Sequence, residues 1–366
     1  MRALAIESLA VRGMRNLEKV DLEPGPRFNV ISGDNGQGKT NLLEAIYVLC
    51  TSKSFRAPRP GDLVAHDGDV ASVRALLREE DSVREQSVGL RAGARMARVD
   101  GKRPATLAAY AVVSPVVLFH PGAVTLSSGS GSERRRMLDR VALYVSASSL
   151  TEAQEYTRAL RERQRALDTR GVEARDLPEW EELVVRHGMA LSAAREEASS
   201  KISEAAERVF VRIGAPGAKL RATYVRSAPR DGDAYRAELA RRRAQDARRG
   251  AASIGPHRDD LLLELGARPM RGIASQGQHR AAVLALELAE IETIATARGV
   301  RPILLLDDVS SELDRERTMA LFTFLRQQKG QVFLTTTRPE LIDTGTTSEA
   351  SARRDFTVVG GHVDLV

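Results

Sequence analysis

A glycine-rich octapeptide near the start of the chain constrains the fold more than any other stretch. Residues 33–40 read Gly33-Asp34-Asn35-Gly36-Gln37-Gly38-Lys39-Thr40. In the pattern G-x-x-x-x-G-K-[ST], backbone N–H groups wrap a phosphate, the lysine reaches the outer phosphates and the hydroxyl meets Mg²⁺. We therefore predict that all eight residues bind a nucleotide, that Lys39 also takes part in catalysis and that Thr40 is also a metal ligand.

The segments on either side of this loop match the strand and the helix that such a loop requires. Arg27-Phe28-Asn29-Val30-Ile31 is short and mainly apolar, which is typical of a strand. After the loop, apolar residues recur at helical spacing at Leu42, Leu43, Ile46 and Leu49. A helix that begins there directs its positive end toward a bound anion, so the sequence predicts an α/β nucleotide-binding domain.

A second apolar strand ends in paired carboxylates. Ile303-Leu304-Leu305-Leu306 leads directly into Asp307 and Asp308. Because buried unpaired charges are costly, adjacent carboxylates at this place indicate a Mg²⁺–nucleotide site. We predict that Asp307 holds Mg²⁺, directly or through water, opposite Thr40. Asp308 is then placed to orient or deprotonate the attacking water.

A second helix start also has phosphate-binding character, at Ser275-Gln276-Gly277-Gln278. Its hydroxyl and backbone N–H groups form another anion-binding helix N-terminus. In a monomer two such ends would be redundant. We therefore predict a dimer in which Ser275, as a catalytic residue, and Gly277 and Gln278 reach the γ-phosphate held by the partner's loop.

The size and composition of the chain are those of a globular protein. Its 366 residues are enough for about two domains. No apolar run approaches the roughly 18 residues of a membrane span, and the first residues lack a signal-peptide core, so we expect a cytoplasmic location. The single cysteine, Cys50, excludes an intramolecular disulfide framework and a cysteine-based metal site.

The net charge of +6 comes from the middle of the chain. Residues 126–250 carry 25 Lys+Arg against 19 Asp+Glu, and the rest is balanced. So small a surplus fits a polyanionic partner and a solvated surface equally well. Because aromatic residues make up only 4%, duplex-backbone contact is favoured over base stacking. The candidate DNA contacts are Arg134, Arg135 and Arg136, and Arg241, Arg242 and Arg243.

The order of elements predicts a nucleotide-binding domain interrupted by helices. Alternating apolar residues from Val70 to Lys102 predict an antiparallel meander. Two long helices then form a short coiled-coil-like arm, and a third helix runs from about Ala234 to Arg249. We place the domain boundaries at residues 1–125, 126–250 and 251–366, with the helical lobe in the middle.

The same motifs, in the same order, resemble the ABC-type ATPase heads of the SMC and Rad50 class, and most closely the RecF family of bacterial recombination mediators. The matching segments cover most of the chain, and the most specific of them is Gly255-Pro256-His257-Arg258-Asp259-Asp260. The others are Asn35 to Ala45, Lys53-Ser54-Phe55-Arg56, Ser132-Glu133-Arg134-Arg135-Arg136 and Ser275-Gln276-Gly277-Gln278-His279-Arg280.

The resemblance implies an ABC-type P-loop ATPase head, with a mixed sheet, an antiparallel β lobe and an inserted helical lobe. It implies that Asp307 is the Walker B aspartate, that Ser275 is the signature serine acting in trans, and that Ser311-Glu312-Leu313-Asp314 is the D-loop. Asp308 stands where most ABC ATPases have glutamate, and Thr337 stands where transporters have a switch histidine. Both departures imply slow hydrolysis.

The function implied by this resemblance is an ATP-dependent clamp on DNA. ATP would close two heads on DNA near a junction of double and single strands or a gap. RecO- and RecR-type partners would then promote RecA loading, and weak DNA-dependent ATP hydrolysis would release the clamp.

Three other functions are weighed against this one. A transporter ATPase predicts a Leu-Ser-Gly-Gly-Gln signature and a switch histidine, which this sequence lacks. A small-molecule P-loop kinase leaves the Ser275 helix unexplained. A DNA clamp that binds ATP without hydrolysing it stays open, because Asp308 has a shorter side chain than glutamate.

Overall fold

A computed structural model describes residues 1–120, 125–213, 218–308, 315–328, 330–342, 344 and 353–366. Up to residue 120 the elements are β1 Leu4–Met14, β2 Leu17–Leu22, β3 Phe28–Ser32, α1 Lys39–Thr51, β4 Val70–Glu79, β5 Ser82–Arg91, β6 Ala94–Val99, α2 Leu107–Ala111 and β7 Val116–Phe119. The next are α3 Thr125–Ser128, α4 Gly131–Val145, α5 Ser149–Arg170, α6 Leu177–Ile213, β8 Leu220–Val225, α7 Gly232–Arg241, α8 Arg243–Arg249, β9 Asp260–Leu265, β10 Arg268–Pro269 and α9 Gln276–Arg298. The last are β11 Ile303–Leu306, α10 Arg315–Gln328, β12 Val332–Thr336, β13 Arg353–Val359 and β14 His362–Leu365.

These elements form two compact units. The first consists of Met1–Ala123 with Ile294–Val366, and the second of Val124–Thr293. The sequence pattern assigned residues 251–293 to the nucleotide-binding domain, whereas the structure places them in the second unit. The physical reason is strand pairing, because β9 lies antiparallel to β8, with Leu220 opposite Leu265.

A six-stranded sheet carries the nucleotide-binding motifs of the first unit. Its order is β14-β13-β3-β12-β11-β7, and all neighbours are parallel except β13 and β14. Strands β11 and β12 are fully buried, as is usual for a parallel sheet covered on both faces. The carboxyl ends of β3 and β11 therefore open onto the same edge of the sheet.

A five-stranded antiparallel sheet forms the rest of the first unit, in the order β2-β1-β4-β5-β6. The predicted meander is confirmed, and the buried residues alternate along β4 at Ala71, Val73, Ala75 and Leu77. Leu42 and Ile46 of α1 share one apolar core with both sheets. Burial of each such side chain contributes about 1.5–3 kcal/mol, so this core fixes the helix that follows the phosphate loop.

The second unit is mainly helical. Helices α5 and α6 pack through a shared apolar cluster that also includes Tyr235 and Leu239 of α7. The predicted helix from Ala234 to Arg249 is two helices, since α7 ends at Arg241 and α8 begins at Arg243. Among the described helices of the chain, none is both long and apolar enough to cross a membrane.

A fully buried arginine links these helices. Arg163 of α5 is 0% exposed and donates to Glu181 of α6 at 3.1 Å and to Asp246 of α8 at 2.9 Å. Its remaining guanidinium nitrogen donates to Leu239 O at 2.9 Å. Both carboxylates are buried as well, so the cluster is stable only while the cation is present.

We expect Arg163→Ala to destabilise the protein by about 3–5 kcal/mol, because it removes the cation paired with the buried Asp246 and one of the two arginines that contact Glu181. Urea denaturation followed by circular dichroism measures this loss. The matched control is Arg165→Ala on the same helix, whose exposed side chain lies 3.9 Å from Glu162. Its effect should stay below about 0.5 kcal/mol, and equal losses in both variants would contradict the proposed importance of the cluster.

Candidate nucleotide-binding site

The phosphate loop follows the carboxyl end of β3 and has a backbone that requires glycine. Gly33, Gly36 and Gly38 have φ angles of 141°, 82° and 119°. A Cβ atom at Gly33 would lie 2.4 Å from Val358 O, and one at Gly38 would lie 2.8 Å from the Asn16 side chain. The glycines therefore permit both the turn and its close packing.

The loop presents a row of backbone donors. The N–H groups of residues 36–40 donate to no acceptor in the described part of the chain. They lie at the N-terminus of α1, where Gly38 provides no side-chain cap. Unpartnered amides at the positive end of a 13-residue helix form an anion-binding site.

Lys39 is folded over this loop. Its Nζ donates to Gly33 O at 2.6 Å and to Asp34 O at 2.8 Å. Burial lowers the pKa of Lys39, and the carboxylates of Asp308, Asp307 and Asp34 oppose that shift. The ammonium group thus lies in the field of the β11 carboxylates, as expected for a phosphate-binding lysine beside a metal site.

The structure brings Thr40 and Asp307 together, as the sequence predicts. Thr40 Oγ1 donates to Asp307 Oδ1 at 2.8 Å. Thr335 Oγ1 of β12 donates to the same oxygen at 2.9 Å and accepts from Asp308 N–H at 2.9 Å. Thr335 was missed from the sequence, although its polar hydroxyl at the end of an otherwise apolar strand was a usable signal.

The oxygen ligands at this place fit Mg²⁺. A threonine hydroxyl and a carboxylate are the ligand types that Mg²⁺ uses when it keeps several waters and nucleotide oxygens. Within the described residues, no cluster of three or more His, Cys, Asp or Glu side chains forms a metal site. Thr40 and Asp307, whose side chains meet at 2.8 Å, are the residues that would hold the ion.

A buried carboxylate behind the loop was also missed from the sequence. Glu44 of α1 is 0% exposed and accepts from Arg15 at 2.9 Å and Arg56 at 2.6 Å. Burial opposes its ionisation, but hydrogen bonds from Arg15, Arg56 and Ser54 together lower its pKa. Glu44 thereby fixes Arg56, of the segment Lys53-Ser54-Phe55-Arg56 that matches the family, next to α1.

In the second unit, Ser275 begins α9 with a reciprocal cap. Gln278 N–H donates to Ser275 Oγ at 3.2 Å, and Ser275 N–H donates to Gln278 Oε1 at 2.8 Å. This capping box keeps Ser275 exposed at the helix start. The Gln278 side chain, predicted to contact nucleotide, instead serves the cap here, whereas Gly277 lies in the first turn.

One predicted DNA contact is contradicted by the structure. Arg134 is 4% exposed and makes two bonds to Asp260, at 2.7 and 2.9 Å. It also donates to Leu126 O and Gly129 O. Arg135 donates to Asp259 O at 2.8 Å. The arginines at the start of α4 thus hold the second unit together, which explains cations that oppose the helix dipole.

The other predicted DNA contacts are paired with carboxylates. Arg241 and Arg242 share Glu238. Arg243 contacts Glu181, and Arg136 contacts Glu133. Phosphate contact by these arginines stays a prediction, favoured most for Arg136 and Arg241, whose side chains are each 69% exposed.

Two further positions named from the sequence are Thr337 and the D-loop. Thr337 is an exposed residue that directly follows β12. The predicted D-loop, Ser311-Glu312-Leu313-Asp314, lies outside the described residues.

Comparison with known proteins places this geometry in a family. The model of the RecF/RecN/SMC N-terminal domain matches residues 5–353. The DNA replication and repair protein RecF of Anaeromyxobacter sp. (strain Fw109-5) is 41% identical over 92% of this chain and 93% of its own length. The protein of the same name from Geobacter sp. (strain M21) is 36% identical over 97% of this chain and 98% of its own length.

Solved structures agree with these matches. The recombination mediator protein RecF with ATP, of the RecFOR pathway, superposes with a TM-score of 0.88 at 27% identity and covers 100% of this chain and 98% of its own. The Smc head domain of Pyrococcus furiosus gives a TM-score of 0.56 at 17% identity, over 99% of this chain and 96% of its own, and supports the ATPase-head fold alone. The predicted resemblance is confirmed, and the chain belongs to the RecF family of DNA replication and repair proteins.

Proposed function

We propose that this protein is an ATP-dependent DNA-binding protein of recombinational repair that hydrolyses ATP slowly. One observation carries the nucleotide part of the proposal. Three features lie together at the carboxyl end of β3. They are the row of unpartnered backbone N–H groups, Lys39 and the Thr40–Asp307 pair. The related RecF structure that contains ATP supports the choice of nucleotide.

Each residue of the proposed site has its own role in ATP binding or hydrolysis. The loop amides and Lys39 bind the phosphates and offset their charge. Thr335 holds Asp307 in place. Thr40 and Asp307 would hold Mg²⁺, which would offset negative charge on the phosphate oxygens. Asp308 orients the attacking water. Because its carboxylate is one methylene shorter than that of glutamate, we expect slow turnover suited to a timed release.

The second half of the site comes from another copy of the protein. Ser275 is exposed at the start of α9, and its hydroxyl is already oriented by the capping box. A helix N-terminus stabilises anions, so Ser275 and Gly277 of one copy would contact the γ-phosphate bound by the other. ATP then acts as the link between two subunits.

The DNA surface is best sought on the first unit. Six cations lie on or just after the hairpin of β5 and β6, at the edge of the antiparallel sheet. Arg84 is paired with Glu79. Within the described residues, the other five form no ion pair with a carboxylate, unlike Arg136 and Arg241 of the second unit. They are Arg91, Arg95, Arg98, Lys102 and Arg103. Unpaired cations can neutralise phosphates without first breaking a salt bridge, so we assign duplex-backbone contact to this hairpin.

The partners of the proposed clamp follow from its relatives. The related RecF structures belong to the RecFOR pathway. We therefore infer RecO- and RecR-type partners for this protein, binding to gapped DNA, and promotion of RecA loading. ATP hydrolysis would release the clamp from the DNA.

We expect Lys39→Ala to weaken ATP binding by about 100-fold or more, because it removes the charge-assisted contacts to phosphate. Isothermal titration calorimetry measures the affinity. Lys53→Ala, at an exposed lysine just after α1, should bind ATP like the wild type. Unchanged affinity in Lys39→Ala would refute the phosphate-loop assignment.

We expect Ser275→Arg to leave ATP affinity within about threefold of the wild type but to abolish ATP-dependent dimerisation, since the partner's phosphates then meet a bulky side chain. Sedimentation velocity with and without ATP shows the difference. Thr223→Arg places the same side chain on the exposed face of β8 and should still dimerise. A normal dimer in Ser275→Arg would exclude the proposed role in trans.

We expect reversal of Arg91, Arg98 and Lys102 to glutamate to weaken DNA binding. The slope of its salt dependence should fall by about 0.9 for each phosphate that the protein no longer neutralises. Fluorescence anisotropy with a gapped duplex at several salt concentrations gives both the affinity and the slope. The same reversal of Arg241, Arg242 and Arg243 changes the net charge equally. A larger effect from that second triplet would move the DNA surface to the helical unit.

A further inference from the structure

The C-terminal hairpin of β13 and β14 packs against the phosphate loop. Strand β13 lies parallel to β3, with Thr357 opposite Ser32, so both strands end at the same edge of the sheet. The turn between β13 and β14 consists of Gly360 and Gly361, with φ angles of 57° and 87°. Two residues with positive φ are typical of a tight two-residue hairpin turn.

This C-terminal turn bonds to a single loop residue. Gly360 N–H donates to Gln37 Oε1 at 2.6 Å, and Gly361 N–H donates to Gln37 O at 2.9 Å. Asn16, in the turn between β1 and β2, donates to the same Gln37 O at 2.9 Å. Gln37 thus accepts three hydrogen bonds from two turns that are far apart in sequence, the β1–β2 turn and the β13–β14 turn.

The orientation of a phosphate-binding amide follows from these bonds. In a planar trans peptide the C=O and N–H groups point in opposite directions. When Gln37 O is held toward the two turns, the N–H of Gly38 faces away from them. Gly38 N–H belongs to the row of amides that have no acceptor in the described part of the chain. Phosphate affinity depends on such donors being oriented before the ligand arrives.

We propose that the Gly360–Gly361 turn is a positioning element of the nucleotide site, which fixes the Gln37–Gly38 peptide so that Gly38 N–H faces the phosphates. The proposal rests on the nucleotide-binding function proposed above. It assigns a role in ligand binding to the last two strands, which contain none of the recognised sequence motifs. Gly361 is required because its Cβ would lie 1.9 Å from Asn16 O.

A matched pair of variants within the same turn tests this role. Gly361→Ala would force the turn away from Asn16 and Gln37, whereas a Cβ at Gly360 meets nothing within 4 Å. Both alanines would have positive φ and would share the same backbone strain. Gly93→Ala, at φ 73° in another hairpin turn with no atom within 4 Å, is a second control for strain alone.

We expect the dissociation constant for ATP to rise about tenfold or more in Gly361→Ala and less than about threefold in Gly360→Ala and Gly93→Ala. Calorimetry on folded protein gives the constant, and thermal unfolding without nucleotide reports stability separately. A purely structural role would lower the unfolding midpoint of Gly361→Ala and leave its ATP affinity unchanged. That result, or equal affinities in Gly361→Ala and Gly360→Ala, would overturn the proposal.

A second variant covers the case in which Gly361→Ala does not fold. Gln37→Ala removes the side-chain acceptor of Gly360 N–H, and its control is Gln154→Ala, at an exposed glutamine of α5. We expect Gln37→Ala alone to bind ATP more weakly, and equal affinity in the two would also overturn the proposal. Wild-type protein that fails to bind ATP, or Lys39→Ala that binds normally, would instead refute the nucleotide site itself.

Discussion

Parallel pairing of strands that are far apart in sequence is the constraint on which the first unit depends. Strand β3 lies between β12 and β13, and β12 lies beside β11. Parallel pairing brings the phosphate loop and Asp307 to one edge of the sheet, and this order leaves only β12 between their strands. The hydrogen bond from Thr40 to Asp307 joins residues 267 positions apart. In an open α/β sheet, ligands bind at the carboxyl ends of the strands, and here the strand order itself assembles the nucleotide site.

The local motifs could be recognised in the sequence because the residues of each motif have a fixed spacing. The phosphate loop, the Asp307 strand and the Ser275 helix start were all identified correctly as elements. Thr335 and Glu44 were missed because their roles depend on contacts between segments that the sequence does not place side by side. Thr335 lies in β12, and it acts on Asp307 only because β11 is the neighbouring strand. The second domain boundary was missed for the same reason, since β8 and β9 pair across the sequence position assigned to it.

For the arginine clusters, the amino-acid composition and the structure favour different positions for the DNA-binding surface. The positive charge in the middle of the chain suggested a DNA surface there. In the structure Arg134 and Arg163 are buried with carboxylate partners, and such pairs contribute to the specificity of packing more than to binding. The hairpin of β5 and β6 is less conspicuous in the sequence because its cations are spaced along a strand. Apart from Arg84, its cations have no carboxylate partner among the described residues, and this property, rather than the number of cations, distinguishes the hairpin.

The position of β3 between two late strands also affects how the protein is made. Both neighbours of β3, namely β12 and β13, begin about 300 residues after it in the chain. During synthesis the phosphate loop can therefore emerge and its helix can form long before the sheet around it is complete. Pairing over such long separations is slow, and exposed strand edges favour aggregation while it is pending. The surroundings of the phosphate loop are therefore complete only after synthesis has reached β13 and β14, whose turn bonds to Gln37.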